Sequence, residues 1–179
     1  RIFEEIGDKP GIAYVLNSAG VTHCLQGNYA QALEQYRKSL RTFEEIGDKA
    51  SISMALNNIG SVHDSQGNYI QALEQYQRSL KIAQEIGNTH CMAMALNNIG
   101  VIHRLQGDYN LALQFAERAT EIATKSGYRE ILSRARTNAG KAYFALEQFV
   151  QAHRSLDQAI ATIEELRVQV AGGEREQQQ

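Results

Sequence analysis

Proline occurs once in the 179 residues and tryptophan not at all. So few helix breakers leave room for long, uninterrupted helices. Cysteine is nearly as scarce: Cys24 and Cys91 are the two, and they do not occupy equivalent places in the pattern described below. Two thiols cannot form the framework of a disulfide-stapled domain, so reduced thiols and a cytoplasmic setting are expected. Neither sign of charge dominates, the formal net charge being −2. That balance excludes the basic footprint of a general nucleic-acid or membrane-surface binder. No apolar run approaches the ~18 residues of a membrane span, and no basic-then-apolar segment opens the chain. Gly-x-Gly-x-x-Gly, P-loop, His-Glu-x-x-His and Cys-x-x-Cys patterns are all missing. No Ser/His/Asp arrangement stands out either, so neither an enzyme nor a cofactor is expected.

What the chain has instead is repetition. Residues 1–40 are written again at 41–80, 81–120 and 121–160, and 25 of 40 positions match between the first two copies. Gly7-Asp8-Lys9 returns as Gly47-Asp48-Lys49, and Gly27-Asn28-Tyr29 as Gly67-Asn68-Tyr69 and Gly107-Asp108-Tyr109. A fixed period of this length marks a repeat architecture, in which each unit buries its apolar face against its neighbours. Such a scaffold offers an extended surface, and its function should be binding.

Each unit reads as two helices. Ile52, Leu56, Ile59 and Val62 fall at spacings of three and four and make one apolar stripe. Gly67 ends that helix, Asn68 is placed to cap the next, and Gln71 stands where a capping-box partner would reach back. Tyr69, Ala72, Leu73, Tyr76, Leu80 and Ala83 make the second stripe. First helices are predicted near 10–25, 50–65, 90–105 and 130–145, and second helices near 29–46, 69–86, 109–126 and 149–167. A mid-helix glycine costs about 1 kcal/mol against alanine, yet Gly20, Gly60, Gly100 and Gly140 return in every first helix. They face a column of Ala32, Ala72, Ala112 and Ala152, which suggests two backbones crossing closely. The predicted fold is all-α: an α-solenoid of four antiparallel helix pairs in a right-handed superhelix. The units are 1–47, 48–87, 88–127 and 128–167, with 168–179 a polar tail or linker. The chain opens mid-pattern at Arg1-Ile2-Phe3-Glu4-Glu5-Ile6, as a second helix without its first, and so reads as part of something longer.

The run Leu56-x-x-Ile59-Gly60-x-x-His63-x-x-x-Gly67-x-Tyr69-x-x-Ala72-x-x-x-Tyr76-x-x-Ser79-Leu80 resembles the tetratricopeptide repeat. The period is 40 where that repeat usually has about 34, leucine stands at the usual tryptophan, and the usual closing proline is missing. This long form is similar to the repeats of kinesin light chains, of the Leu-Gly-Asn spindle-orientation adaptors, and of bacterial arrays that precede CHAT domains. The resemblance implies a peptide-binding groove lined by the first helices. Carried over by position, its residues are Tyr14, Met54, Asn57 and Asn58, then Met94, Asn97, Asn98 and Arg104, then Arg134, Asn138 and Lys141. Asparagine is a mediocre helix former, so its recurrence needs a reason. Its amide can hold the backbone of an extended peptide, or it can bond to its neighbour in the next repeat as a ladder. Arg104, Arg134 and Lys141 make the last part of this face positive. Arg134 and Asn138, four apart, resemble half of the carboxylate clamp of chaperone-binding repeats. Arginine forks match carboxylates, so the expected partner is a protein or peptide with acidic residues.

His23, His63 and His103 share one register. Neighbouring repeats place them roughly 10 Å apart, too far for a metal site with bonds near 2 Å. Packing is the better account, and Tyr143 holds the same place in the fourth unit. Two other functions remain open at this level: a self-assembling array that stacks head to tail, and the sensor domain of an attached effector enzyme.

Overall fold

The computed structural model describes the backbone of residues 8–176 and the side chains of residues 8–168. The opening segment Arg1–Ile6 therefore lies outside the described residues. Eight helices and no strand are found among the described residues: α1 (Lys9–Leu25), α2 (Tyr29–Ile46), α3 (Lys49–Ser65), α4 (Tyr69–Glu85), α5 (Thr89–Leu105), α6 (Tyr109–Ser126), α7 (Arg129–Ala145) and α8 (Phe149–Glu176). They alternate as first and second helices of a repeat, and the fold is an all-α solenoid of helix pairs. The chain divides into two compact units, Arg1–Ala95 and Leu96–Gln179.

Helix boundaries fall within a residue of those predicted, except the last. Gly47 and Gly67 adopt φ of 71° and 75°, the left-handed conformation that stops a helix without a side-chain clash. Arg167 stands where Gly47 and Gly87 stood, and α8 runs on to Glu176. Residues 168–176, which read from sequence as tail or linker, continue this helix. The predicted caps are also redistributed. Asn28 and Asn68 make no cap bond; each amide donates to Gln26 or Gln66 two residues back. The working caps belong to the first helices: Asp8 accepts from Gly11 N at 2.9 Å, Asp48 from Ser51 N at 3.1 Å and Asn88 from Cys91 N at 3.0 Å.

In the first unit, Ala32, Tyr36, Ile59 and Val62 close one core cluster, and Ala13, Phe43 and Ala55 a second. In the second unit, Ala112, Leu113, Ala116, Ala139 and Ala142 do the same. Burying a side chain such as Leu56, which is wholly enclosed, contributes about 1.5–3 kcal/mol. Close crossings recur where Ser39 Oγ donates to Ala13 O at 2.8 Å and where the Ser53 and Ser79 hydroxyls meet at 3.0 Å.

The glycine column is a packing contact, with the alanine column at Gly100 and Gly140 but with a different partner at Gly20 and Gly60. A Cβ at Gly20 would lie 2.6 Å from the ring of Tyr36, and one at Gly60 2.6 Å from that of Tyr76. These two glycines are each the seat of a buried tyrosine ring, one turn beyond the alanine. Where another residue replaces that tyrosine, the alanine column's backbone comes near: Ala112 O lies 3.2 Å from the Cβ position at Gly100, beside Ala116, and Ala152 O 3.4 Å from that at Gly140, beside Leu156.

Candidate functional site

The first-helix face is built by the period itself. The candidate residues lie on the first helices and recur every 40 residues. In the first unit Tyr14 is exposed but tied down. Its hydroxyl lies 3.0 Å from Ser51 Oγ and donates to Asp48 Oδ2 at 3.3 Å, and its ring meets Phe43 edge-on at 5.2 Å. Burial pushes the Asp48 carboxyl up, but the bonds from Ser51 and Tyr14 outweigh it and hold the group below its ordinary value. Met54 and Met94 are half-buried.

The asparagines do form rungs. Asn58 Nδ2 donates to Asn17 Oδ1 at 3.1 Å in the first unit, and Asn138 Nδ2 to Asn97 Oδ1 at 2.7 Å in the second. Asn97 Nδ2 also donates to Asn98 Oδ1 at 3.2 Å. Asn57 and Asn97 are buried, 4% and 3% exposed, so their bonds stay inside the structure. Asn58, Asn98 and Asn138 are half-buried.

In the second unit these residues surround a cavity of about 300 Å3, lined by Asn97, Val101, Ser133, Arg134, Thr137, Asn138 and Ile163. Arg134 is exposed, and its guanidinium fork can pair a carboxylate two-fold. Lys141 is exposed and lies outside that lining. Arg104 is half-buried, and its Nε–H is enclosed without an acceptor. The structure thus brings together Asn97, Arg134 and Asn138, and does not bring Arg104 or Lys141 into the same cavity. Ile163 escapes a reading of the sequence because it comes from a second helix. Its register, three residues beyond Ile160 on α8, is visible only once the helices are paired.

The histidine column packs as a structural element. His103 stacks on Phe115 with centroids 5.5 Å apart and planes 8° from parallel. Nδ1 of His23, His63 and His103 is buried without a hydrogen bond. Burial, and then the Arg37 charge, lower the pKa of His63 against a small opposing effect of Glu74. In the fourth repeat Tyr143 uses this place to donate to Glu117 Oε1 at 3.0 Å. No cluster of metal-ligating side chains is present among the described residues. Nor is any helix among them long and apolar enough to cross a membrane.

The tetratricopeptide repeat model matches the chain three times in overlapping windows, at residues 11–85, 51–125 and 91–165. The chain belongs to the tetratricopeptide repeat family. No curated protein matches its sequence. Solved structures are similar in fold at low identity. BtubC (BKLC) from P. vanneervenii is 21% identical with a TM-score of 0.74, over 87% of this chain and 64% of its own. A Rap protein complexed with Competence and Sporulation Factor is 18% identical with a TM-score of 0.75, over 86% and 43%. A STAND signal-transduction ATPase with a tetratricopeptide repeat sensor, from Pyrococcus horikoshii, is 20% identical with a TM-score of 0.78, over 92% and 26%. The chain spans less than two thirds of each of these proteins.

Proposed function

We propose that this chain is a protein-interaction module that holds an extended peptide segment along its first-helix face, with an acidic side chain of that segment at Arg134. Family membership supports the general class, a repeat built for protein interaction. One observation carries the finer reading: the cavity beside Arg134 joins an exposed guanidinium to the Asn97–Asn138 amide rung and the Thr137 side chain. Such a site can hold a main chain by hydrogen bonds and a carboxylate by charge. Asn58 and Asn98 would extend the main-chain contacts, and Arg104 and Lys141 would add positive potential. The fold shared with a Rap protein solved with its Competence and Sporulation Factor is consistent with this use of the scaffold.

Head-to-tail self-association is the second reading. At the end face of α8, His153 occupies the register of Leu33, Leu73 and Leu113, and its Nδ1 lies 2.7 Å from Asp157 Oδ2. Apolar surface remains on the same helix at Phe149, 58% exposed, Ile160, 54%, and Ile163, 39%.

The test is selection of binders from a random peptide library by the parent and by Arg134→Glu. The reading expects acidic peptides from the parent, at affinities around micromolar, and loss of that preference in the variant. The same peptides selected by both proteins would place the site elsewhere.

A further inference from the structure

We infer that a second cavity, between the end of α6, α7 and α8, binds a small organic carboxylate through Arg136. The cavity is about 350 Å3, is distinct from the one beside Arg134, and does not depend on peptide binding there. The repeat shows how it arises. Position 136 holds leucine in the other units, and Leu56 and Leu96 are fully buried. Position 162 holds Ile82 and Ile122 in the two preceding units, and position 161 holds Lys81 and Glu121. The fourth unit places Arg136, Thr162 and Ala161 there together. Three changes at one place remove an apolar plug and two long side chains, and leave a guanidinium in the space.

That guanidinium is held ready. Its Nη1 donates to Gln158 O at 3.2 Å and to Thr162 Oγ1 at 2.8 Å, both uncharged acceptors. Its Nε–H is buried with no acceptor. A buried donor left unpaired is a cost to the empty site. A small rotation toward the cavity would set Nε–H and an Nη2 hydrogen on the two oxygens of one carboxylate, the fork geometry arginine favours. The surrounding charge selects the anion. Arg129 and Glu165 pair at 2.8 Å and also line the cavity, so with Arg136 it carries one net positive charge. One positive charge suits a carboxylate better than a doubly charged phosphate. Leu132 and Ala123 supply apolar wall and Thr124 a hydroxyl, and the volume fits a molecule of amino-acid size.

The test is thermal unfolding in sodium acetate, sodium glutamate or sodium phosphate against sodium chloride at equal ionic strength. A ligand that binds the folded state raises Tm with its concentration. The parent should gain a few degrees in acetate or glutamate, and less in phosphate. Arg136→Leu restores the leucine of the other units, so it should fold and lose the gain. Arg136→Lys keeps the charge without the fork and should need about tenfold more ligand. Arg134→Ala should keep the full gain, which separates this cavity from the first-helix face. The inference is overturned if the parent gains nothing, if Arg136→Leu gains equally, if Arg134→Ala loses the gain, or if phosphate is the stronger ligand.

Discussion

The second and fourth helix pairs are written in one register, yet they put their residues to different uses. In the second pair Leu56, Ile59 and Tyr76 are buried, Ser53 meets Ser79, Asp48 caps α3, and glycines take both turns. In the fourth pair the matching positions hold Arg136, Ala139, Leu156, Ser133 with Ala159, Tyr128 without a cap bond, and Glu147 with Arg167 at the turns. Several stabilising features of the interior unit are relaxed in the last one, and at Arg136, Glu147 and Arg167 a charged residue stands instead. In a repeat protein the shared positions record what folding requires. Departures at a core register show where folding has yielded to another demand, and the cavity beside Arg136 lies at such a departure.

That contrast can be broken at its strongest point first. Gly60→Leu forces a branched side chain into the seat of Tyr76, whose ring is 2.6 Å from the Cβ position and itself buried. Overpacking of this kind should destabilise by about 3 kcal/mol, read as a lower urea midpoint. Gly100→Ala should be nearly neutral in the same assay. Its new methyl meets atoms at 3.2 Å, and the gain in helix propensity of about 1 kcal/mol offsets the crowding. Equal losses at the two sites would show that the tyrosine seat is not what the glycine column serves.

Arg136→Leu should sharpen the contrast in the other direction. Replacing a half-buried, imperfectly paired charge by the leucine of the interior units should stabilise the protein by about 1 kcal/mol. A lower melting temperature would mean that the bonds to Gln158 and Thr162 outweigh the unpaired Nε–H.

Acid should act through the interior unit. His63 is held below its ordinary pKa by burial and by Arg37, against Glu74. Its folded-state pKa is thus below the unfolded one, near 6.5. The stability it contributes is fully present above that value and is lost as pH falls through the folded-state pKa. His63→Tyr, the residue the fourth repeat uses, should flatten the fall in Tm on acidification. An unchanged pH profile would remove His63 from the explanation.

The smallest expected effect lies at the turn. Glu147 has φ of 59°, where the equivalent Gly67 sits at 75° without strain. Glu147→Gly should stabilise by about 0.5–1 kcal/mol, visible as a rise in Tm. No rise would show that the strain is relieved by a contact of the glutamate side chain.

Much of this fold is legible in the amino-acid sequence alone. The 40-residue period and its turn glycines place every helix start within a residue, because periodicity and backbone conformation are local properties. The partner of each side chain is not legible in the same way. The asparagine rungs, Asn58 to Asn17 and Asn138 to Asn97, join residues 41 apart and need the helices paired before they can be chosen over a ligand. Asn68 reads as a cap by residue type, but its amide turns back to Gln66. The glycine column reads correctly as a contact, while the ring that fills it lies on the other helix one turn further on. Arg136 can be found by aligning the chain with itself, as the charged residue in a column of leucines. What its side chain faces cannot.

The binding of an acidic segment to the first-helix face around Arg134 is most directly tested by calorimetry. One library-selected acidic peptide is titrated into parent, Arg134→Glu and Asn138→Ala, at low and high salt. The parent should bind and should weaken with salt, because an exposed arginine is screened. Arg134→Glu should lose tenfold or more, about 1.4 kcal/mol, together with most of the salt dependence. Asn138→Ala should weaken the peptide and a neutral analogue alike, since it would hold main chain. Equal affinity across all three proteins, with an unchanged salt slope, would contradict this assignment.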